Sequence, residues 1–391
     1  MIASDEITYN NKIGYLSRLV LVAAAVVSFS LYYPLREFHG LVEQSGNVTV
    51  ANDNTAFYTQ ISATVDDDEF QREWSKAKNK LCPSGLPSHK KFGPILFDLA
   101  RDEMGLRKLH YSSITKFFTF MPDRGSVYIM NSTDSSASGS FLHMPIWKCA
   151  NNDVRKNLRI SLDVMDVSLD CRRGKFECWV DAIGGMMNVT RACIVAVVRD
   201  PITHFLSGYN EYEIRLNTDD TVNLTLKKRS APNPLNFERF VFGDEKRFEQ
   251  FIVDILTSPG DVLEDNLSHM YSMTGILSGL YKAYKRNLDA YLPSIDDLEN
   301  TYPSFLKETC PHVLPESAFE PWDKEERHHH VSEADALGFR SAANAVWARG
   351  GRASRALCVI HAMDYACYDK VPVDDFCKGV YMSEAFTQAI S

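Results

Sequence analysis

The chain is short of positive charge, of metal-type ligand spacing and of repeats, and each shortage narrows what it can be. Lysine and arginine number 42 against 51 aspartates and glutamates, for a net charge of -9. A nucleic-acid binder normally carries a basic field, so this balance argues against that class. The cluster Lys227-Lys228-Arg229 reads first as a solvated loop and second as a lure for an acidic glycan. No cysteine or histidine spacing makes a convincing zinc site. His328-His329-His330 are consecutive; they do not share a helix face and read as a solvated loop. No internal repeat is present.

What is there is a layout. The 391 residues suffice for a short tail, an anchor and one large domain. Leu19 to Leu35 (LVLVAAAVVSFSLYYPL) carries no charge, sits at the short limit for a spanning helix, and is bracketed by Arg18 and Arg36. A cleaved signal peptide is the competing reading, but no clean small-x-small cleavage site follows. The expected organisation is a cytosolic tail at 1–18, a transmembrane signal anchor at 19–35, a polar stem at 36–90 and a lumenal domain at 91–391. Within the stem a weak helix is expected around Asp66 to Lys80. Sequons at Asn47, Asn131, Asn188, Asn223 and Asn266 all follow the anchor, which suits a lumenal domain.

All 9 cysteines also follow it. An oxidising lumen permits bridges, and the odd count leaves at least one thiol free. Cys171 with Cys178, and Cys367 with Cys377, are reasonable local pairs. Cys193 is expected as a buried thiol, and Cys149 as a residue of the ligand loop.

Cys193 to Val198 is a β-branched apolar run that reads as a buried strand. Val127 to Met130 and Ser140 to Met144 are further strand candidates. Val154 to Leu162 is amphipathic. Phe248, Phe251, Ile252 and Ile255 recur at helical spacing, and Ile276 to Leu292 is another helical candidate. Glu333 to Ala356 is alanine-rich, broken by Gly350-Gly351. Leu357 to Tyr368 is apolar and leads into a polar, proline-containing tail. Alternating strands and helices predict an α/β fold: a P-loop-like parallel sheet flanked by helices, with added C-terminal helices, behind a single N-terminal transmembrane helix.

The buried run ends in Arg199-Asp200-Pro201, and Phe205, Leu206 and Tyr209 then mark one helix face. An arginine at the carboxyl end of a buried strand, before a helix start, is where an α/β sheet meets an anion. Ser207 follows about two helical turns later, so it can share a phosphate with Arg199. Upstream, SFLHMPIWKCA (Ser140 to Ala150) and Asn151-Asn152 lead into the amphipathic stretch. This segment resembles the 5′-phosphosulfate loop of sulfotransferases, and Arg199 with Ser207 resembles their 3′-phosphate motif. The order and separation of the two are similar to those of the Golgi-type, membrane-bound carbohydrate sulfotransferases. The likeness is specific from about Phe141 to Tyr212. Asn151-Asn152 stand where that family usually has Ser or Thr, no glycine lies in the loop, and His204 replaces a frequent second basic residue.

The resemblance implies a donor, 3′-phosphoadenosine 5′-phosphosulfate (PAPS), an acceptor hydroxyl on a glycan, and a Golgi location. Sulfuryl transfer needs a gripped polyanion and stabilised charge on the leaving phosphate. Lys148 suits the bridging and 5′-phosphate oxygens, because lysine is a movable point charge. The amides of Cys149, Ala150, Asn151 and Asn152 can add donors at a helix start. Arg199 forks onto the 3′-phosphate and Ser207 adds a hydroxyl. No metal is required. For the general base, His269 is the first candidate, His143 the second, and Glu211 and Asp163 are carboxylate options. Two other classes stay open: a lumenal glycosyltransferase, with Asp66-Asp67-Asp68 as its metal motif, and a non-catalytic lumenal binding protein.

Overall fold

The structure is a computed structural model that describes residues 66–106, 126–128, 141–144, 146, 148–162, 167–168, 192–218, 243–257, 270–277, 286–322 and 338–391. The apolar span at 19–35, the sequons, Cys171 with Cys178, Asp163, the basic cluster at 227–229, His269 and the triple histidine lie outside the described residues. Among the described residues, no helix is long and apolar enough to cross a membrane.

The fold is α/β and mostly helical. Its sheet contains β1 (Ser126–Tyr128), β2 (Phe141–Met144), β3 (Val167–Ser168), β4 (Cys193–Val197) and β5 (Ala290–Leu292), in the order β3-β1-β2-β4-β5. β2, β4 and β5 run parallel; β1 is antiparallel to both β2 and β3. Phe141 faces Cys193 and Met144 faces Ala196, so β2 and β4 end level with each other. Every residue of both is buried, as expected for strands covered on both faces.

The helices are α1 (Asp67–Leu81), α2 (His89–Met104), α3 (Asn151–Leu162), α4 (Pro201–Thr218), α5 (Glu245–Thr257), α6 (Leu298–Thr309), α7 (Phe339–Arg349), α8 (Arg352–Ile360), α9 (Ala362–Cys367), α10 (Asp375–Tyr381) and α11 (Glu384–Ala389). α3 follows β2 and α4 follows β4 directly, which puts two loop-to-helix junctions side by side at one end of the sheet. Gly350 ends α7 in a left-handed conformation at φ 68, where a side chain would meet the Phe376 ring at 2.8 Å. The glycine break between two alanine-rich helices is therefore required twice over.

Several expectations are corrected. Asp66 to Lys80 is helical, but α1 is part of the packed fold and not of a stem. Asp66 caps it, accepting from the Asp68 and Glu69 amides at 2.9 and 3.1 Å. Phe70, Trp74, Ala77 and Leu81 are buried, and Trp74 stacks on Tyr381 of α10 with ring centroids 4.6 Å apart. The packed fold thus starts before Phe92. Of the candidate helix Ile276 to Leu292, residues 276 and 277 are helical, 278–285 lie outside the described residues, and the last three form β5. The polar tail after Tyr368 folds into α10 and α11, because Cys377, Val380, Tyr381, Phe386 and Ile390 are apolar enough to be buried.

The expected pair of Cys367 with Cys377 is not formed. Cys367 bonds Cys82, Cys377 bonds Cys358, and Cys193 bonds Cys310. Cys193 is therefore no free thiol: the end of α6 brings Cys310 against β4. α9 ends beside the C-cap of α1, which carries Cys367 away from Cys377. Among the described residues Cys149 is the free cysteine.

Candidate anion-binding site

Beyond β2 the chain turns at Lys148, Cys149 and Ala150 before α3 begins. Lys148 has φ 63 and Ala150 φ 53. Left-handed backbone is uncommon for residues other than glycine and costs on the order of 1 kcal/mol each. The turn is held from both sides: the Cys149 amide donates to the Ile146 carbonyl at 3.2 Å, and the Val154 amide to the Ala150 carbonyl at 3.0 Å. Cys149 itself points into the core. Its side chain is buried with Sγ 3.9 Å from the Met273 sulfur, and burial pushes its thiol up to about 12. It nails the turn to the core, while the amides at the start of α3 are the kind that helix geometry leaves without partners inside the helix. Side chains of Asn151 and Asn152 lie outside the described residues.

Beyond β4, Val198 still bonds the sheet, donating to the Leu292 carbonyl at 2.9 Å. Asp200 then caps α4: its Oδ1 accepts from the Thr203 amide at 2.7 Å, and Pro201 occupies the first helical position. The half-buried Arg199 is fixed by two bonds. Its Nε donates to Thr203 Oγ1 at 3.3 Å and its Nη1 to the Lys148 carbonyl at 3.1 Å. Burial lowers its pKa, with Asp200 among the charges opposing; an arginine starts so high that it stays cationic.

Lys148 Nζ donates to Glu211 Oε2 at 2.8 Å, and their side chains are 22% and 23% exposed. Thr203, Ser207 and Glu211 recur every four residues along α4, so they share one face. Thr203 on that stripe holds Arg199 and Glu211 holds Lys148; the half-buried Ser207 lies between them. The two expected cations and the expected serine are thus brought to one face of α4.

Other expected residues fall elsewhere. His143 is 1% exposed; its Nδ1 lies 2.9 Å from the Tyr302 hydroxyl, and burial, aided by Arg155, pushes it down to about 3. It is a neutral core residue and no candidate base. His204 is wholly buried and does not face a ligand. His269 and Asp163 lie outside the described residues. A cavity of about 470 Å³ opens beside the end of α1, β5 and the end of α9, and neither Lys148 nor Arg199 lines it.

Two residues of α9 matter more than their sequence suggests. The Tyr365 hydroxyl donates to Asp200 Oδ2. Asp364 anchors a sealed polar cluster: its Oδ1 accepts from Ser272 Oγ, the Thr274 amide and Thr274 Oγ1, each at 2.8 Å. Its Oδ2 lies 2.9 Å from His361 Nδ1. Burial opposes its charge, but His361 and these donors prevail and hold the carboxyl below its usual range.

Chemically, this face of α4 and the turn beside it offer an ammonium, a guanidinium, two hydroxyls and a helix start, a set suited to a ligand with more than one anionic group. No protein-family model, curated protein or solved structure matches the chain.

Proposed function

We propose that this chain is a sulfotransferase that moves a sulfuryl group from PAPS to a hydroxyl of a glycan or related acceptor. In this reading the sheet and its two junctions form a P-loop-like domain, held in the Golgi lumen by a type II anchor at 19–35. The observation that carries the reading is the 3.1 Å bond from the Arg199 guanidinium to the Lys148 carbonyl. It joins two segments, about fifty residues apart, that resemble the two phosphate motifs of one family.

The roles are those the resemblance implies. Arg199 and Ser207 take the 3′-phosphate; Lys148 and the amides of Cys149 to Asn152 take the 5′-phosphosulfate end. The acceptor oxygen forms a bond to sulfur as the bond from sulfur to the 5′-phosphate oxygen breaks. Lys148 balances the charge left on that phosphate, and the acceptor's proton passes to a base. His269 remains the histidine candidate for that base. Glu211 is the carboxylate beside Lys148, and a donor phosphate drawing the ammonium away leaves it uncompensated.

The glycosyltransferase reading has less support, since Asp66 of its Asp-x-Asp spacing caps α1. Non-catalytic binding is separated by the test itself. Adenosine 3′,5′-bisphosphate at a hundredfold excess over its Kd should stabilise the protein by about 2.7 kcal/mol, read as a rise in Tm. Lys148→Ala and Arg199→Ala should lose both that rise and sulfuryl transfer from labelled PAPS to an acceptor panel. A wild-type protein that gains no stability from the nucleotide overturns the reading. Stabilisation without transfer to any acceptor favours the binding protein.

A further inference from the structure

Arg199 is held at the end of a chain of contacts that starts outside the site. The Tyr365 hydroxyl donates to one oxygen of Asp200. The other oxygen accepts from the Thr203 amide at 2.7 Å, and the Thr203 hydroxyl both donates to the Asp200 carbonyl at 2.9 Å and accepts from Arg199 Nε at 3.3 Å. Tyr365 is 1% exposed on α9, so it touches no ligand. Its surroundings keep it a donor: burial, then the neighbouring Asp200, raise its pKa well above the ordinary value.

We infer that Tyr365 is a positioning residue: through Asp200 and Thr203 it aims the Arg199 guanidinium, and so sets how strongly the site prefers a nucleotide with two separate phosphates over one with a single phosphate. The inference rests on the reading of Arg199 as the 3′-phosphate ligand. Asp200 has two acceptor oxygens with different duties. One fixes the first turn of α4 and the other ties that turn to α9. Without the second tie, the carboxylate can rotate away from the Thr203 amide; the first turn of α4 then loosens, and with it the Asp200 carbonyl that holds the Thr203 hydroxyl against Arg199. Lys148 takes no part in this chain of contacts except through its carbonyl, so the grip on the 5′ end is not expected to change.

The test compares adenosine 3′,5′-bisphosphate with adenosine 5′-monophosphate, by calorimetry on the whole chain. Wild type should prefer the bisphosphate. Tyr365→Phe should weaken the bisphosphate by about tenfold, the size of one hydrogen bond to a charged group, and leave the monophosphate unchanged. In an Arg199→Ala background the same change should do nothing further. If Tyr365→Phe does not fold, Asp200→Ser serves instead, since serine still caps a helix but is too short to reach the Tyr365 hydroxyl; it should show the same selective loss. A merely structural role would weaken both nucleotides together. If wild type discriminates and the variants discriminate equally well, or lose both nucleotides in parallel, the positioning role is overturned while the reading of the site stands. If wild type binds neither nucleotide, the reading fails and the inference falls with it.

Discussion

Asp364 and Tyr365 are consecutive residues of α9, and they serve two polar clusters that differ in almost every physical respect. Around Asp364, every partner is sealed: Ser272, Thr274 and His361 are 0 or 1% exposed. The Asp364 Oδ1 is matched by three donors from the 272–274 segment and its Oδ2 by His361. Around Lys148 and Arg199, the groups are half-exposed and linked in a chain, with Lys148 on left-handed backbone. A sealed and satisfied cluster specifies one packing. An open chain of charges, held at its ends, can exchange a partner for a ligand. The lesson is that polarity inside this fold is divided between a lock and a grip, and one short helix is fastened to both.

The contrast can be broken at the lock first. Asp364→Ala strands several buried donors and should cost about 3–5 kcal/mol, read from the urea midpoint; a loss near zero would show the cluster is no lock. Arg199→Ala should invert that pattern, weakening the bisphosphate nucleotide by roughly thirtyfold or more while the urea midpoint moves far less than for Asp364→Ala.

Acid sharpens the contrast further. His89 is buried beside the sealed cluster, and burial drives its pKa from 6.5 to about 4. The unfolded chain takes up that proton first as pH falls. Stability should therefore decline from pH 6.5 to about 4 and stop declining on this account below that. His89→Gln should flatten this limb in a series of melts. Asp364 acts with the same sign lower down: its depressed carboxyl adds stability above its ordinary value of 3.8, and that stability is lost as pH falls through the folded value. The smallest effect is expected at the grip. Glu211→Gln removes the partner of a solvent-accessible ammonium and should change stability by less than about 1 kcal/mol; a larger loss would make that pair a structural bridge.

Much of the grip is legible in the sequence, because it is local. The β-branched run at Cys193 to Val198, the aspartate-proline helix start and the apolar face of α4 sit within one short stretch, and each has a one-dimensional signature. The lock is illegible for the opposite reason. Asp364 meets Thr274 across 90 residues, and Tyr365 meets Asp200 across 165; nothing near either residue marks it. α1 hides in a different way. Its solvent face is so rich in acid and lysine that Phe70, Trp74, Ala77 and Leu81 read as a weak stripe, and only packing against α10 reveals them as core. β5 is three residues of alanine, tyrosine and leucine, too short for its period to compete with the helical pattern before it. The cysteines mislead because proximity in sequence is a poor guide once helices carry their ends apart.

The bond between Cys82 and Cys367 spans 285 positions of the chain. A ribosome adding about 5–20 residues each second delivers the second cysteine on the order of tens of seconds after the first. Tyr381, which covers Trp74, arrives later still. During that interval an early helix with an oily side waits for the last part of the chain to be made. A nascent form of this protein truncated before Cys367 would keep that side bare, and is the species a chaperone would be expected to hold.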